Sequence, residues 1–428
     1  MNRPLFLALN LYLLLLLGLA TVSGDVLALA APLALYLLVG FWRAPAEIKL
    51  HARRSLSAER VSSNQNIDVT IEITNRGEAI EELTILDDLP RGLTLLNGET
   101  RHLIRLAPNQ SASWTYTVSG LRGDYAFTPL RVTARDSLGL LQRAETLPAP
   151  ARLIVLPSVP RLKQVSIRPR RTRVYAGDIP ARVGGSGVDF FGVREYQTGD
   201  SPRRINWHIS ARQPDSLYAN EFEQERVADV GILLDGRDRS NRFGVDRSLF
   251  EHSVMACASI SDALITQGNR LALLVYGQYL QWTIPGYGKV QRERILQALA
   301  AARPGGSEVF TSLAHLPTRL FPVQSQIIVI SPLVPDDFDS LVSLRARGYQ
   351  VTVVSPDPVR FELSYLPATS EVETAARIVR LERGLLLRRL QGAGIQTVDW
   401  DVAQPFDGAV RAALGRTPQW LRSIGRPV

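Results

Sequence analysis

Two apolar runs at the amino end constrain this chain more than any other feature. Residues 5–22 are almost unbroken hydrocarbon, interrupted by Asn10 and Gly18, and a second run fills residues 26–42 after the polar break Ser23-Gly24-Asp25. Each is close to the ~20 residues that a helix needs to cross ~30 Å of hydrocarbon. One cleaved signal peptide is the competing reading, with Arg3 as its basic end and Ala28-Leu29-Ala30 as a small-residue cleavage site. The first run is longer than an ordinary signal core, and the apolar character resumes through Leu38. Residues 1–43 are therefore expected to form a transmembrane helical hairpin, and Pro32 is tolerated because membrane helices accept such breaks. Arg3 precedes the first run; Arg43, Lys49, Arg53, Arg54 and Arg60 follow the second; the tip carries only Asp25. The positive-inside rule then expects both ends in the cytoplasm, with Phe41 and Trp42 at the interface.

The rest of the chain is not a membrane protein's. At 428 residues it has room for two or three folded units, and 45% apolar with only 21% charged residues excludes a disordered chain. A mean hydropathy of zero averages the hairpin with polar domains. Cys257, the single cysteine, excludes an intramolecular disulfide and any Cys-x-x-Cys centre; lying in an apolar helical stretch, it reads as core packing.

From Ile67 the period becomes two. Ile67, Val69, Ile71 and Ile73 alternate with polar residues, and Asn75-Arg76-Gly77 makes a turn. Further strands are expected over residues 80–86, 103–106, 114–118 and 130–133, with turns at Asp88-Leu89-Pro90-Arg91-Gly92 and Pro108-Asn109. That spacing predicts a β-sandwich over residues 44–160. The triplet Arg122-Gly123-Asp124 reads as a Gly-containing turn and not as an integrin ligand.

The excess of positive charge is concentrated in one place. Residues 161–212 hold eleven Lys or Arg and four acids, an excess of seven against the chain's +8. Gly184-Gly185-Ser186-Gly187 reads as a flexible lead-in, and no GxxxxGK[ST] loop occurs, which excludes a P-loop ATPase. The residues that follow mix Arg, acids and aromatics too densely for a solvated tail; they imply a folded surface on which guanidinium groups pair with carboxylates and stack on aromatic rings.

The run Arg194-Glu195-Tyr196-x-x-Gly199-Asp200-x-x-Arg203-Arg204-Ile205-Asn206-Trp207-x-x-Ser210-Ala211-Arg212 resembles the signature of proteins carrying the domain of unknown function 58 (DUF58). The similarity extends to Arg122-Gly123-Asp124-Tyr125, to residues 136–140 and 154–157, to the acidic run 221–226 and to the hairpin. His208 stands where that family commonly has Lys. The resemblance implies a membrane-anchored protein of bacterial or archaeal type with a von Willebrand factor A-like domain, acting with a MoxR-type AAA+ ATPase. It marks Arg194, Glu195, Tyr196, Gly199, Asp200, Arg203, Arg204, Trp207 and Arg212, within a signature segment over residues 161–228, as the interaction signature.

Residues 229–428 alternate strands and helices. Strands are expected at 230–234, 271–276, 327–330, 351–354 and 395–398, with helices at 248–266, 289–302, 337–347 and 372–391. That alternation argues a doubly wound, mostly parallel α/β sheet, Rossmann-like, with Asp235 and the loops after Tyr276 and Ile330 at its carboxyl rim. An A-like domain would hold Mg²⁺ there with an Asp-x-Ser-x-Ser loop, and hard cations need several oxygen ligands. Asp235 matches the first ligand and Ser307 stands for a second, but the two Ser positions are Arg237 and Arg239, and Ile330-Ser331-Pro332 supplies no Asp. Guanidinium groups carry no lone pair. The Mg²⁺ site is thus expected to be degenerate, with Arg237 neutralising Asp235 in place of metal and retained Mg²⁺ binding at Asp235 and Ser307 as the alternative; no other cofactor is expected.

No nucleophile elbow, HExxH or triad spacing occurs, so no catalytic residue is assigned. Interspersed acids and the preceding anchor argue against nucleic acid as a partner and for the lipid bilayer or domain packing. The reading that results is a membrane-anchored protein-interaction adaptor in chaperone-like maturation or envelope processes. The alternatives are an envelope hydrolase using Glu195, Asp200 and His208, and an exported surface-binding protein.

Overall fold

The computed structural model describes residues 3–42, 48–135, 142–163, 165, 172–213, 215–241, 249–277, 279–307, 312–322 and 324–414, with the side chains of 3, 41, 172–189, 191, 222–227, 318 and 414 excluded. The chain divides into two compact units, Met1–Leu156 and Pro157–Val428.

The first unit begins with helices α1 (Arg3–Thr21) and α2 (Gly24–Trp42). The stretch Pro4–Thr21 is long and apolar enough to cross a membrane, at a mean hydropathy of 2.0, while the apolar part of α2 is the shorter stretch Gly24–Gly40. Eleven strands follow among the described residues: β1 (Leu50–Leu56), β2 (Arg60–Ser62), β3 (Ile67–Asn75), β4 (Ile80–Leu86), β5 (Leu93–Asn97), β6 (Arg101–Leu106), β7 (Ser111–Gly120), β8 (Gly123–Ala126), β9 (Leu130–Arg135), β10 (Gln142–Leu147) and β11 (Arg152–Leu156). They form sheets in the orders β1-β3-β7-β5, β10-β9-β4-β6 and β2-β11-β8. The alternation in β3 buries Ile67, Val69, Ile71 and Ile73 completely, and these pack with Leu83 and Ile85 of β4 and Val132 of β9 in one core. Asn75 closes the expected turn: its buried amide donates to the carbonyls of Glu78, Leu106 and Ala107 and its Oδ1 accepts from Gly77 N.

Two local expectations are corrected here. The Arg122-Gly123-Asp124 triplet is not a free turn, because Gly123–Ala126 is strand β8, paired with β11. Asp124 accepts two hydrogen bonds from Arg152, and the Tyr125 hydroxyl donates to Leu121 O at 2.8 Å. Glycine is required at 123, since a Cβ there would lie 2.6 Å from the Tyr125 ring. Second, Arg53, Arg54 and Arg60, counted as flanking charge, lie in β1 and β2, and Arg54 is buried. Residues 136–140 lie outside the described residues.

The second unit opens with β12 (Thr172–Glu195), antiparallel to β13 (Tyr218–Asp235), with the short helix α3 (Trp207–Ser210) between them. Gly184-Gly185-Ser186-Gly187, expected to be a flexible lead-in, is part of this ribbon, with register shifts on either side of Gly184-Gly185. Beyond it come α4 (Asp238–Asn241), α5 (Leu249–Thr266), β14 (Arg270–Tyr276), β15 (Leu280–Trp282), α6 (Gly288–Ala301), β16 (Gln326–Ile330), α7 (Asp337–Ala346), β17 (Gln350–Pro356), α8 (Pro358–Leu363), α9 (Ser370–Gly392), β18 (Gln396–Trp400) and α10 (Phe406–Leu414). The sheet order is β15-β14-β13-β16-β17-β18, parallel throughout except for the edge strand β15. Strands buried on both faces read as apolar runs. Leu233, Leu274, Val329 and Val353 share a core with Leu341 and Leu344 of α7 and Leu387 and Leu390 of α9. α5 touches β13, β14, β16 and β17 and carries Cys257 fully buried.

β13 crosses residues 228 and 229, so the signature segment and the parallel sheet share one strand. Its first half pairs with β12 and its second half with β14 and β16. At ~3.3 Å per residue, the signature end and Asp235 stand roughly 55 Å apart along it.

Candidate functional site

The strand order reverses at β13, whose successor in sequence lies on one side and whose later partner β16 lies on the other. Ligand crevices in such sheets form at that point, beyond the carboxyl ends of the strands. Here the end of β13 is Asp235 and the end of β16 is followed by Ser331.

A guanidinium fills this crevice. Arg237 donates from Nε to Asp235 Oδ1 at 2.9 Å and from Nη2 to Asp235 Oδ2 at 2.8 Å. It also donates from Nη1 to Asp337 Oδ1 at 2.9 Å and from Nη2 to Asp337 Oδ2 at 2.8 Å. Ser240 Oγ at 2.7 Å and Ser331 Oγ at 2.6 Å donate to Asp235 Oδ2, and Arg237 N donates to Asp235 Oδ1. Val334 N donates to Asp337 Oδ2, so every carboxylate oxygen accepts at least one hydrogen bond. Arg237 is 2% exposed and both aspartates are buried. Burial works against the Arg237 charge, but the hydrogen bonds and charges of Asp235 and Asp337 carry its pKa above the ordinary arginine value. Burial pushes the Asp337 carboxyl up, against the pull of Arg237. Asn241 Nδ2 locks the loop by donating to the carbonyls of Asp235 and Arg237.

These residues do not fit Mg²⁺. A cation needs the lone pairs that Arg237 already uses, and the hydroxyls on Asp235 come from Ser240 and Ser331, not from Ser307. Ser307 lies in the loop beside Gly305, which forms a β-bridge with Arg237. Among the described residues no group of three His, Cys, Asp or Glu side chains could hold a metal ion. Asp337 escaped the sequence reading because it lies six residues past Ser331, at the start of α7; the acidic pair Asp336-Asp337 opening a helix after an apolar strand was the available signal.

A second arginine ties the neighbouring strand ends. Arg383 of α9 donates to Pro332 O, Ser355 O, Ser355 Oγ and, at 2.6 Å, Asp399 Oδ1. Asp357, which accepts from Val359 N and Arg360 N at the start of α8, lies within ion-pair range of Arg360 and Arg383. Nothing in the sequence spacing pointed to this network.

The signature residues lie at the other end of β13 and fall into two groups. Arg194 grips Asp200 with two hydrogen bonds of 2.7 Å, and Asp200 Oδ2 also accepts from Gln197 N. The Tyr196 hydroxyl donates to Asp200 O at 2.8 Å, and Gly199 takes φ +111°, a backbone angle that side chains oppose. Asn206 caps α3 through Ile209 N and donates to Asn220, while Ser210 Oγ accepts from Tyr218 N. This group holds the loop onto the ribbon. The Arg194 guanidinium, helped by Gln197 N, holds the Asp200 carboxyl below its usual range. Glu195, Arg203, Trp207, His208 and Arg212 form the other group and face solvent, Trp207 at 67% exposure; Arg204 is half-buried. Asp200 is thus held by Arg194 and Gln197 N, while Glu195 and His208 face solvent and neither forms a hydrogen bond or ion pair with it.

Residues 192–373 match the family described as "Protein of unknown function DUF58", and the chain carries a DUF58 domain there. No curated protein matches the chain. Similar solved structures include a FixG-related protein from Vibrio parahaemolyticus, at 8% identity over 26% of this chain and 98% of that one, with a TM-score of 0.17. A non-cellulosomal cohesin of Archaeoglobus fulgidus shows 11% identity over 25% of this chain and 91% of that one, with a TM-score of 0.18. Proximal thread matrix protein 1 of the mussel byssus shows 17% identity over 36% and 46%, with a TM-score of 0.23. At such scores none bears on the role of this chain.

Proposed function

We propose that this protein is a membrane-anchored interaction adaptor whose von Willebrand factor A-like domain acts with a MoxR-type AAA+ ATPase. The two amino-terminal helices form the membrane hairpin, and the large units face the cytoplasm, where such an ATPase works. The observation that carries the reading is the division within the signature: Arg194, Asp200, Tyr196, Gly199 and Asn206 are consumed in holding the loop, and Arg203, Trp207 and Arg212 are displayed. A display of exposed arginine and tryptophan suits a protein contact, since these residues dominate interface energetics. The strand order, with one antiparallel edge strand, agrees with an A-like domain, and Arg237 takes the place of the cation, so partner capture needs no metal. Interspersed acids leave no uniform basic track for nucleic acid.

The test is capture of a MoxR-type AAA+ ATPase from the same organism by membranes bearing the full chain, with ATP and with ADP. Nucleotide-dependent capture that survives EDTA washing of the adaptor membranes and is lost in Trp207→Ala or Arg203→Ala is expected. Wild-type membranes that retain no ATPase in either state would refute the adaptor reading. Protease protection of both large units in intact cells, with digestion after lysis, checks the orientation against an exported surface-binding protein.

A further inference from the structure

Helix α9 is packed on one side only. Ala376, Leu387 and Leu390 are its buried residues, and at ~100° per residue Ile378, Leu381 and Leu385 fall on the opposite side. These three are 54%, 59% and 54% exposed. Their spacing of three and then four residues is that of a coiled-coil seam, with Ile378 and Leu385 at a positions and Leu381 at d. Leaving them bare to water costs hydrophobic free energy that nothing among the described residues offsets.

The flanking charges specify what covers the seam. Arg377 occupies the g position before Ile378 and Glu382 the e position after Leu381; both are exposed, and neither has an ion partner among the described residues. In a parallel pair of identical helices a g residue faces the e residue five positions later on the other helix. Arg377 of each copy then meets Glu382 of the other, twice by symmetry. The antiparallel alternative, centred on the same seam, sets e against e and brings Glu382 against Glu382 of the other helix, which is repulsive. Ile378 at a with Leu381 at d suits two strands over three or four in a parallel coil.

We propose that α9 is a self-association helix that pairs in parallel with α9 of a second copy of this chain, through Ile378, Leu381 and Leu385, with Arg377 and Glu382 setting register and direction. Three apolar positions make a small interface. Tethering both copies in one membrane raises their effective concentration, which is how a weak contact becomes populated. The inference uses no signature or rim residue and shares with the adaptor reading only the membrane anchor.

Cysteine crosslinking of the full chain in membranes tests it. The native thiol, Cys257, is fully buried and silent. Under mild oxidation Leu381→Cys gives a disulfide-linked dimer, while Val379→Cys, exposed but off the seam, does not. Adding Arg377→Glu or Glu382→Arg to Leu381→Cys lowers the dimer yield roughly fivefold or more, and adding both restores it. No dimer at 381, equal yields at 379 and 381, or a double charge reversal that fails to rescue would each overturn the proposal. So would protection of the 381 thiol by lipid or by the ATPase in place of a second copy.

Discussion

Each unit of this protein buries an arginine against aspartate, and the two clusters differ in a way that separates architecture from function. In the sandwich Arg54 donates to Asp87 Oδ1 at 2.6 Å, to Ala149 O at 2.6 Å and to Thr128 O at 3.1 Å, and stacks over Phe127 at 4.8 Å. The Tyr116 hydroxyl completes the set by donating to Asp87 Oδ2 at 2.6 Å. One cation, one anion and a phenol close a neutral unit among strands. In the α/β unit one arginine serves two aspartates, at the point of the sheet where ligand sites form. The first arrangement staples β1 to the segments around it. The second sets one guanidinium between two carboxylates at the carboxyl ends of β13 and β16.

The largest expected effect comes from removing that cation. Arg237→Ala strands two buried carboxylates and costs about 3–5 kcal/mol, measured by denaturant unfolding of the full chain. In the variant, Mg²⁺ raises the midpoint, because Asp235, Asp337, Ser240 and Ser331 then have free lone pairs; the wild-type midpoint does not move. A midpoint equally indifferent to Mg²⁺ in both would show that the crevice lacks the shape of a cation site.

Asp87→Ala in the sandwich has a comparable cost, about 3–5 kcal/mol, because it leaves Arg54 unpaired, yet Mg²⁺ has no effect on it. Tyr116→Phe is milder, about 1–2 kcal/mol, since Asp87 keeps Arg54. A Tyr116→Phe cost as large as that of Asp87→Ala would mean that the phenol, and not the ion pair, organises this core.

Acid provides a smaller, reversible probe. Burial lowers the His252 pKa below 6.5, and the ring lies edge-on to Phe361 and Trp400. The neutral ring is the form the fold favours, so its contribution is complete above pH 6.5 and is lost as the pH falls from there through the folded-state pKa. His252→Phe flattens that part of the stability curve; an unchanged curve would assign the loss to carboxylates.

The smallest effect belongs to Arg194→Ala. Its ion pair with Asp200 is surface-exposed, and such pairs add little to global stability, so the thermal midpoint stays within a degree or so, while on the adaptor proposal capture of the ATPase falls as the loop loosens. Cys257 gives a null control: burial pushes its thiol up to about 12, so maleimide leaves the native chain unlabelled at pH 8.

Much of the fold was legible because it is written in short-range periodicity. The alternation at Ile67, Val69, Ile71 and Ile73 and the apolar runs ending at Asp235 and Ile330 mark strands that tertiary packing did not override. Strand β1, reading Leu50-His51-Ala52-Arg53-Arg54-Ser55-Leu56, was illegible because Arg54 is a core residue only once Asp87 is folded against it. The ribbon strand β12 was missed for a related reason: its Gly-Gly-Ser-Gly stretch has loop chemistry, and only pairing with β13 makes it extended.

Sequence by itself determined the apolar amino end, the change from period two to alternating strands and helices, the DUF58 signature, and the arginines at 237 and 239 beside Asp235. Those are properties of neighbours along the chain, fixed by side-chain chemistry and backbone periodicity. Tertiary structure alone decided that Arg237 bridges Asp235 to Asp337, one hundred residues on, that Arg383 ties three strand ends, and that Ile378, Leu381 and Leu385 face away from their own core. Each depends on which distant segments the sheet order makes adjacent, and no local pattern carries that information.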